Sequence, residues 1–155
     1  MAILLRGKTQ CGICSRVIGK DDEVVSFPAF VGNELDPLVK FSDASFHRAC
    51  IASHPMAKAA QERLESTRKL TEKKECHQCG REISDPDDYF AFDHFGPEGD
   101  PRLSKVSRQQ FHMSCLPRWA ELSEVTDLLV NLKRSGRWRG RSIDVMIDVL
   151  QNAKK

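Results

Sequence analysis

Cys11-x2-Cys14 is followed by thirty-two residues and then His47-x2-Cys50, and Cys76-x2-Cys79 by thirty-two residues and then His112-x2-Cys115. The offset is 65 residues at every one of these positions, without a gap. Aligning residues 11–55 on 76–120 gives 13 identities in 45 positions, and all six cysteines of the chain fall in that frame. The other matches are Arg16 with Arg81, Ile18 with Ile83, Asp22 with Asp87, Phe27 with Phe92, Phe30 with Phe95, Leu38 with Leu103, Lys40 with Lys105, Ser42 with Ser107, and Phe46 with Phe111. Such a fixed period is the signature of one folding unit used twice.

The chemistry of the eight positions points to metal. Structural zinc takes four tetrahedral ligands, and three thiolates with one imidazole are a common set. A Cys-x2-Cys turn aims two sulfurs at one point, and Gly12 and Gly80 are placed to help that turn form. His and Cys three apart share a face if the segment is helical. Two closed sites follow, Cys11-Cys14-His47-Cys50 and Cys76-Cys79-His112-Cys115, each holding one structural Zn2+. A redox Cys-x2-Cys would leave both His-x2-Cys pairs unexplained, and a catalytic zinc keeps an open position that four such ligands do not leave.

Between the ligands, Val24–Phe30 and Leu38–Phe41 are rich in β-branched and aromatic residues, with Gly32, Asn33, Asp36 and Pro37 as turn formers. They predict a hairpin with a long loop. In the second copy Tyr89–Phe92 is the first strand, and Gly96, Pro97, Gly99, Asp100 and Pro101 form the loop. The acids at Asp21-Asp22-Glu23 and Asp85–Asp88 read as solvated turns. The six matched phenylalanines read as a small core beside each site. Units of this size usually need a metal or a similar staple. The expected fold is α+β: two tandem treble-clef-like Cys3His zinc fingers (knuckle, β-hairpin, helix), a connecting helix and a C-terminal helical hairpin. The boundaries are 1–54 for the first finger, 55–72 for the connector, 73–120 for the second finger and 121–155 for the hairpin.

CGICSRVIGKDDEVVSF with SFHRAC, and CHQCGREI with QFHMSC, resemble the DNA-break-sensing zinc finger of poly(ADP-ribose) polymerases, which also has an aromatic residue before His-x2-Cys. The order of ligands is similar, more loosely, to LIM domains, which are adaptors between proteins. LIM domains carry a second zinc cluster directly after the first, whereas no cysteine follows Cys50 until Cys76. The polymerase-type fingers present clustered basic residues. Residues 15–46 contain only Arg16, Lys20 and Lys40 against six acids. The resemblance covers roughly residues 11–55 and 76–120 and implies a metal site and a fold more than an activity.

Outside the fingers, Pro55 opens a strongly helix-forming stretch, with Ser53 or His54 as cap and Met56, Ala60, Leu64, Thr67 and Leu70 as its apolar stripe. Leu122, Val125, Leu128, Leu129 and Leu132 keep helical spacing. Ser142 is placed to cap a last helix with Ile143, Met146, Ile147 and Leu150 on one face. Between these helices Lys133, Arg134, Arg137, Arg139 and Arg141 surround Trp138 without an acid. Arginine forks engage phosphates or carboxylates and tryptophan stacks on bases, so these six residues are the candidate partner-binding turn. The alternative is a helix C-terminus with ordinary cations and a tryptophan folded onto the core. Asp93-His94 has no third group to complete a catalytic set.

Composition then limits the function. Six thiolates on two divalent ions bring the formal charge of +2 to zero, so net charge gives no argument for nucleic acid. No stretch approaches the ~20 apolar residues of a membrane span. The N-terminal MAILLRGK lacks the features of a signal peptide, so a reducing, cytoplasmic compartment is expected. The sequence thus predicts a non-enzymatic zinc-binding adaptor with a protein partner. The alternative is a nucleic-acid-binding tandem finger, of DNA-end or break type, that uses the Arg/Trp turn.

Overall fold

The computed structural model describes residues 4–96 and 100–154. Its elements are β1 (Val24–Phe27), β2 (Ala44–His47), α1 (Arg48–Ala52), α2 (Ala57–Glu72), β3 (Tyr89–Ala91), α3 (Pro101–Val106), β4 (Gln110–His112), α4 (Leu122–Arg134) and α5 (Ser142–Ala153). Short 3-10 helices cover Val39–Phe41, Pro86–Asp88 and Met113–Arg118. The molecule is mixed α+β, as expected, with two small hairpins and two Cys3His clusters in a tandem zinc-finger-like arrangement. Two compact units are present: Met1–Val31 with Asp36–Arg68, and Gly32–Leu35 with Lys69–Lys155. No helix among the described residues is long and apolar enough to cross a membrane.

In the first unit β1 pairs antiparallel with β2, Val24 opposite His47 and Phe27 opposite Ala44. This corrects the expected partner, Leu38–Phe41, which ends in the 3-10 helix instead. The Asp36 carboxylate accepts the Leu38 N–H at 2.8 Å, and Pro37 has no N–H to place in a ladder. The local turn signal overrides the β-propensity of Val39 and Phe41. The second unit does the same: Asp100 caps α3 by accepting the Arg102 N–H at 2.9 Å, with Pro101 at the first position. Asp100 and Pro101 therefore start a helix rather than fill a loop, while Pro97 and Gly99 lie outside the described residues. β3 pairs with β4, Phe90 opposite Phe111.

The six matched phenylalanines are all buried. Their geometry is repeated as well. Phe27–Phe30 and Phe92–Phe95 centroids are 6.2 and 6.4 Å apart, and Phe27–Phe46 and Phe92–Phe111 are 5.8 and 5.9 Å apart. The backbone follows suit. Phe30 N–H donates to Ser42 Oγ at 2.9 Å, and Phe95 N–H to Ser107 Oγ at 3.0 Å, which explains the matched serines.

Helix α2 begins at Ala57, two residues after Pro55. His54 Nδ1 accepts the Met56 N–H at 3.2 Å, while Ser53 Oγ turns back to the Ala49 carbonyl. Ala60 is fully buried in the first unit's core with Met56 and Leu64 against it, whereas Leu70 is exposed. In the second unit, α4 and α5 share one continuous core with the hairpin, through Phe111, Trp119, Leu129, Ile143 and Leu150 among others. Ser142 is the first residue of α5 and does not cap it: Arg141 holds the cap position, and the serine hydroxyl donates to the Gly32 carbonyl at 3.1 Å.

Among the described residues, three other than glycine have left-handed backbone: Ser15 (φ 60°), Asp43 (φ 54°) and Arg108 (φ 62°). Asp43 and Arg108 are 65 apart, and Ser15 matches Gly80, whose φ is +68°. Ser15→Gly is expected to stabilise the first unit by about 0.5–1 kcal/mol, because a Cβ in this region costs roughly 1–2 kcal/mol and glycine's extra freedom when unfolded returns part of that. A chemical-denaturation midpoint that does not rise would refute it.

Candidate metal centres

Each knuckle is built by the same short-range bonds. Cys11 N–H donates to the Arg16 carbonyl at 2.9 Å and Ser15 N–H to the Cys11 carbonyl at 2.8 Å; Cys76 to Arg81 and Gly80 to Cys76 repeat them at 2.9 and 2.8 Å. The knuckle is tied to the second strand of its hairpin by Gly12 N–H to the Ser45 carbonyl (3.0 Å) and His77 N–H to the Gln110 carbonyl (2.7 Å). Gly12 serves close approach rather than a left-handed turn: a Cβ there would lie 2.7 Å from the Phe46 ring. In the second copy His77 occupies that position, and its ring meets Phe111 edge-on at 5.6 Å. His47 and His112 each end the second strand and stand at the cap position of the following helix, so the histidine comes from the strand and the last cysteine from the helical turn.

All eight predicted ligands converge into two groups of four, with the ligand atoms of each group within 4.8 Å of one another. Cys14 Sγ lies 3.5 Å and Cys50 Sγ 3.9 Å from His47 Nδ1. Cys79 Sγ and Cys115 Sγ lie 3.5 and 4.0 Å from His112 Nδ1. A tetrahedral ion with ~2.3 Å sulfur and ~2.0 Å nitrogen bonds needs sulfur–nitrogen separations of about 3.5 Å. The donor sets fit such an ion, and the six cysteines are all free thiols.

The surroundings prepare the sulfurs for a cation. The Arg16 side chain, then its backbone, hydrogen-bond Cys14 and bring that thiol down to about 6. The Arg81 backbone, then its side chain, bring Cys79 down to about 6. Burial pushes Cys11 up, but backbone N–H groups of Cys14, Ile13 and His47 outweigh it and the net shift is downward. Burial likewise pushes Cys76 up, and the His112 and Cys79 backbone outweigh it. Cys50 and Cys115 go the other way, raised by burial and by the neighbouring sulfurs. Three thiolates cannot share one small space without a positive ion among them.

Three supporting residues carry no ligand pattern. Arg16 and Arg81 were legible only as identities in the repeat. Asp22, read as a solvated turn acid, instead accepts the Gly19 N–H at 2.6 Å and lies 3.2 Å from His47 Nε2, which orients the ring with Nδ1 toward the cluster. The second unit departs here. Asp88 accepts the Ser114 N–H at 2.9 Å and the Ser114 hydroxyl at 3.1 Å. Removal of such outer partners typically costs 10–100-fold in metal affinity. Arg16→Ala is therefore expected to weaken metal binding at the first centre by roughly tenfold in a chelator competition at neutral pH. An unchanged affinity would remove the arginine from the metal site.

The residues of the predicted basic turn separate. Trp138 is 7% exposed and packs on Phe95 at 5.3 Å, so its ring belongs to the core. Lys133 pairs with Asp144. Arg134, Arg137, Arg139 and Arg141 are exposed. The backbone of the turn is fixed by Asn33, whose Nδ2 donates to the Arg137 carbonyl at 3.2 Å and whose Oδ1 accepts the Arg139 N–H at 3.0 Å.

Comparison with models of protein families, with curated proteins and with solved structures finds no match to this chain.

Proposed function

We propose that this protein is a non-enzymatic adaptor, of treble-clef zinc-finger type, whose two clusters each hold a structural zinc ion and whose surface recognises a protein partner in a reducing, cytoplasmic compartment. The observation that carries this reading is that each cluster supplies four protein ligands at tetrahedral separations. A catalytic zinc keeps a position for water or substrate, and these sets fill all four. Thiolate-rich sites with imidazole favour zinc over the oxygen-seeking cations. Once bound, the ion contributes folding energy and cross-links knuckle to hairpin. Native mass spectrometry of material prepared without chelator is expected to show two zinc ions per chain; a metal-free, folded protein would end the reading.

The exposed arginines favour a second reading, nucleic-acid binding in the manner of the break-sensing fingers that the ligand spacing resembles. With Trp138 in the core, this turn offers phosphate contacts without a stacking platform. A titration of duplex DNA across salt concentrations separates the two. The adaptor reading expects no binding even at low salt. Affinity that falls steeply with salt, and that disappears when the four arginines are changed to glutamine, would establish the second reading in its place.

A further inference from the structure

We propose that the free edge of β3 and the adjoining face of α5 receive an extended peptide of a partner protein, apolar at alternate positions and bearing Lys or Arg at its ends. This names the docking surface for the adaptor reading and rests on it. The hydrogen-bond pattern identifies the free edge. Phe92 N–H donates to the Gln109 carbonyl at 2.9 Å. In an antiparallel pair the residues that exchange bonds alternate, so with Tyr89 opposite His112 and Ala91 opposite Gln110, these two pairs do not exchange them. The Gln110 carbonyl confirms the phase: it accepts from His77 N–H at 2.7 Å, on the side away from β3. Tyr89 and Ala91 therefore turn their N–H and C=O groups away from β4, where an added strand can pair with them.

Opposite this edge stands α5. Ser142, Val145, Met146 and Val149, spaced to share one face, form the far wall of a groove of about 560 Å³ that Met113 also lines. Met146 approaches the strand end closely enough for its sulfur to take the Asp93 N–H at 3.5 Å. Val145 is 50% and Met113 36% exposed, two of the few large apolar side chains that the described residues leave in solvent. An edge strand beside an apolar wall is the arrangement used in strand addition: backbone bonds supply affinity and alternate side chains supply selectivity. The charge specifies the rest. Asp87 and Asp93 line the groove, no lysine or arginine does, and neither carboxylate forms an ion pair among the described residues. A peptide with cationic ends matches that field, and an acidic one is repelled. Among the described residues the first unit has no counterpart of α5, and so lacks this far wall.

The test uses the metal-loaded full chain as bait for a phage-displayed library of random peptides of roughly ten residues, a length that exceeds the edge on both sides. Enriched peptides are expected to alternate apolar residues and to carry Lys or Arg at the ends. On titration with the synthesised winner, amide exchange at Tyr89 and Ala91 should slow. Val145→Glu, on an exposed helix position, and Ala91→Pro, which removes one outward N–H and leaves the β4 ladder whole, should each weaken binding at least about tenfold. Val145→Glu decides the matter if the proline variant loses its metal. No enrichment overturns the proposal, as do winners that bind Val145→Glu as tightly as the parent or that perturb only Arg134–Arg141. Peptides captured on another face leave the adaptor reading standing. That reading fails separately, by salt-sensitive DNA binding.

Discussion

His47→Ala is expected to leave the protein with one bound metal ion and an unfolded first unit. The reason is the size of that unit's core. Its buried apolar set among the described residues is Cys11, Ile18, Phe27, Phe30, Leu38, Phe41, Phe46, Ile51 and Ala60, and one of these, Cys11, belongs to the metal-binding cluster. So small a core supplies little net stability against chain entropy. Bound structural zinc is worth ~10–16 kcal/mol of apparent folding energy in small zinc-finger units, so an ion held at this cluster would supply the stability that the core does not. Alanine at 47 deletes the only nitrogen ligand of the cluster and strands Asp22, whose carboxylate faces the imidazole at 3.2 Å. Native mass spectrometry should count one ion, and the dispersed amide resonances of Val24–Phe27 and Ala44–His47 should collapse. Two retained ions with an unchanged melting curve would show that the histidine is not a ligand.

Cys115→Ser removes one ligand in the same way but should produce a different residue of structure. Cys115 is 2% exposed, within a core that also holds Leu116, Trp119, Leu122, Val125, Leu129, Leu132, Ile143, Met146, Ile147 and Leu150. Loss of the ion should melt the knuckle and β3–β4 while α4 and α5, which pack on each other, keep part of their helix. The melting midpoint of the second unit is expected to fall by at least about 20 °C, on a loss of several kcal/mol at roughly 4–8 °C each. Hydrogen exchange reads the pattern: fast at Gln110–His112, still slowed at Leu129 and Leu150. Uniform fast exchange through both helices would show that they have no stability apart from the metal.

The two Cys3His clusters were legible because a tetrahedral metal site calls for residue types at spacings that few other needs impose, and a repeat states that pattern twice. The phenylalanine core was legible for the same reason. Strand pairing was harder. Leu38–Phe41 has strand-like side chains, but the Asp-Pro before it sets a turn, and the strand partner is Ala44–His47, whose Ala and Ser give weak β signal. Trp138 illustrates another limit: a tryptophan among arginines has the same local sequence whether its ring lies on the surface or on Phe95. The role of Asp22 was hidden because its partner His47 lies twenty-five residues away, and only the closed hairpin brings them together.

The positions of left-handed backbone have a consequence for how the two copies diverged. Serine in one copy stands where glycine does in the other, and aspartate where arginine does, yet the peptide bends the same way at both. What the halves share is a route through space, and at these two bends the side chain is exchangeable while the ligand and phenylalanine positions are not. Transplanting residues 15–46 into the place of 80–111 should accordingly yield a chimaera that still threads its cysteines to one point, whereas inserting a single residue between Cys14 and His47 should not.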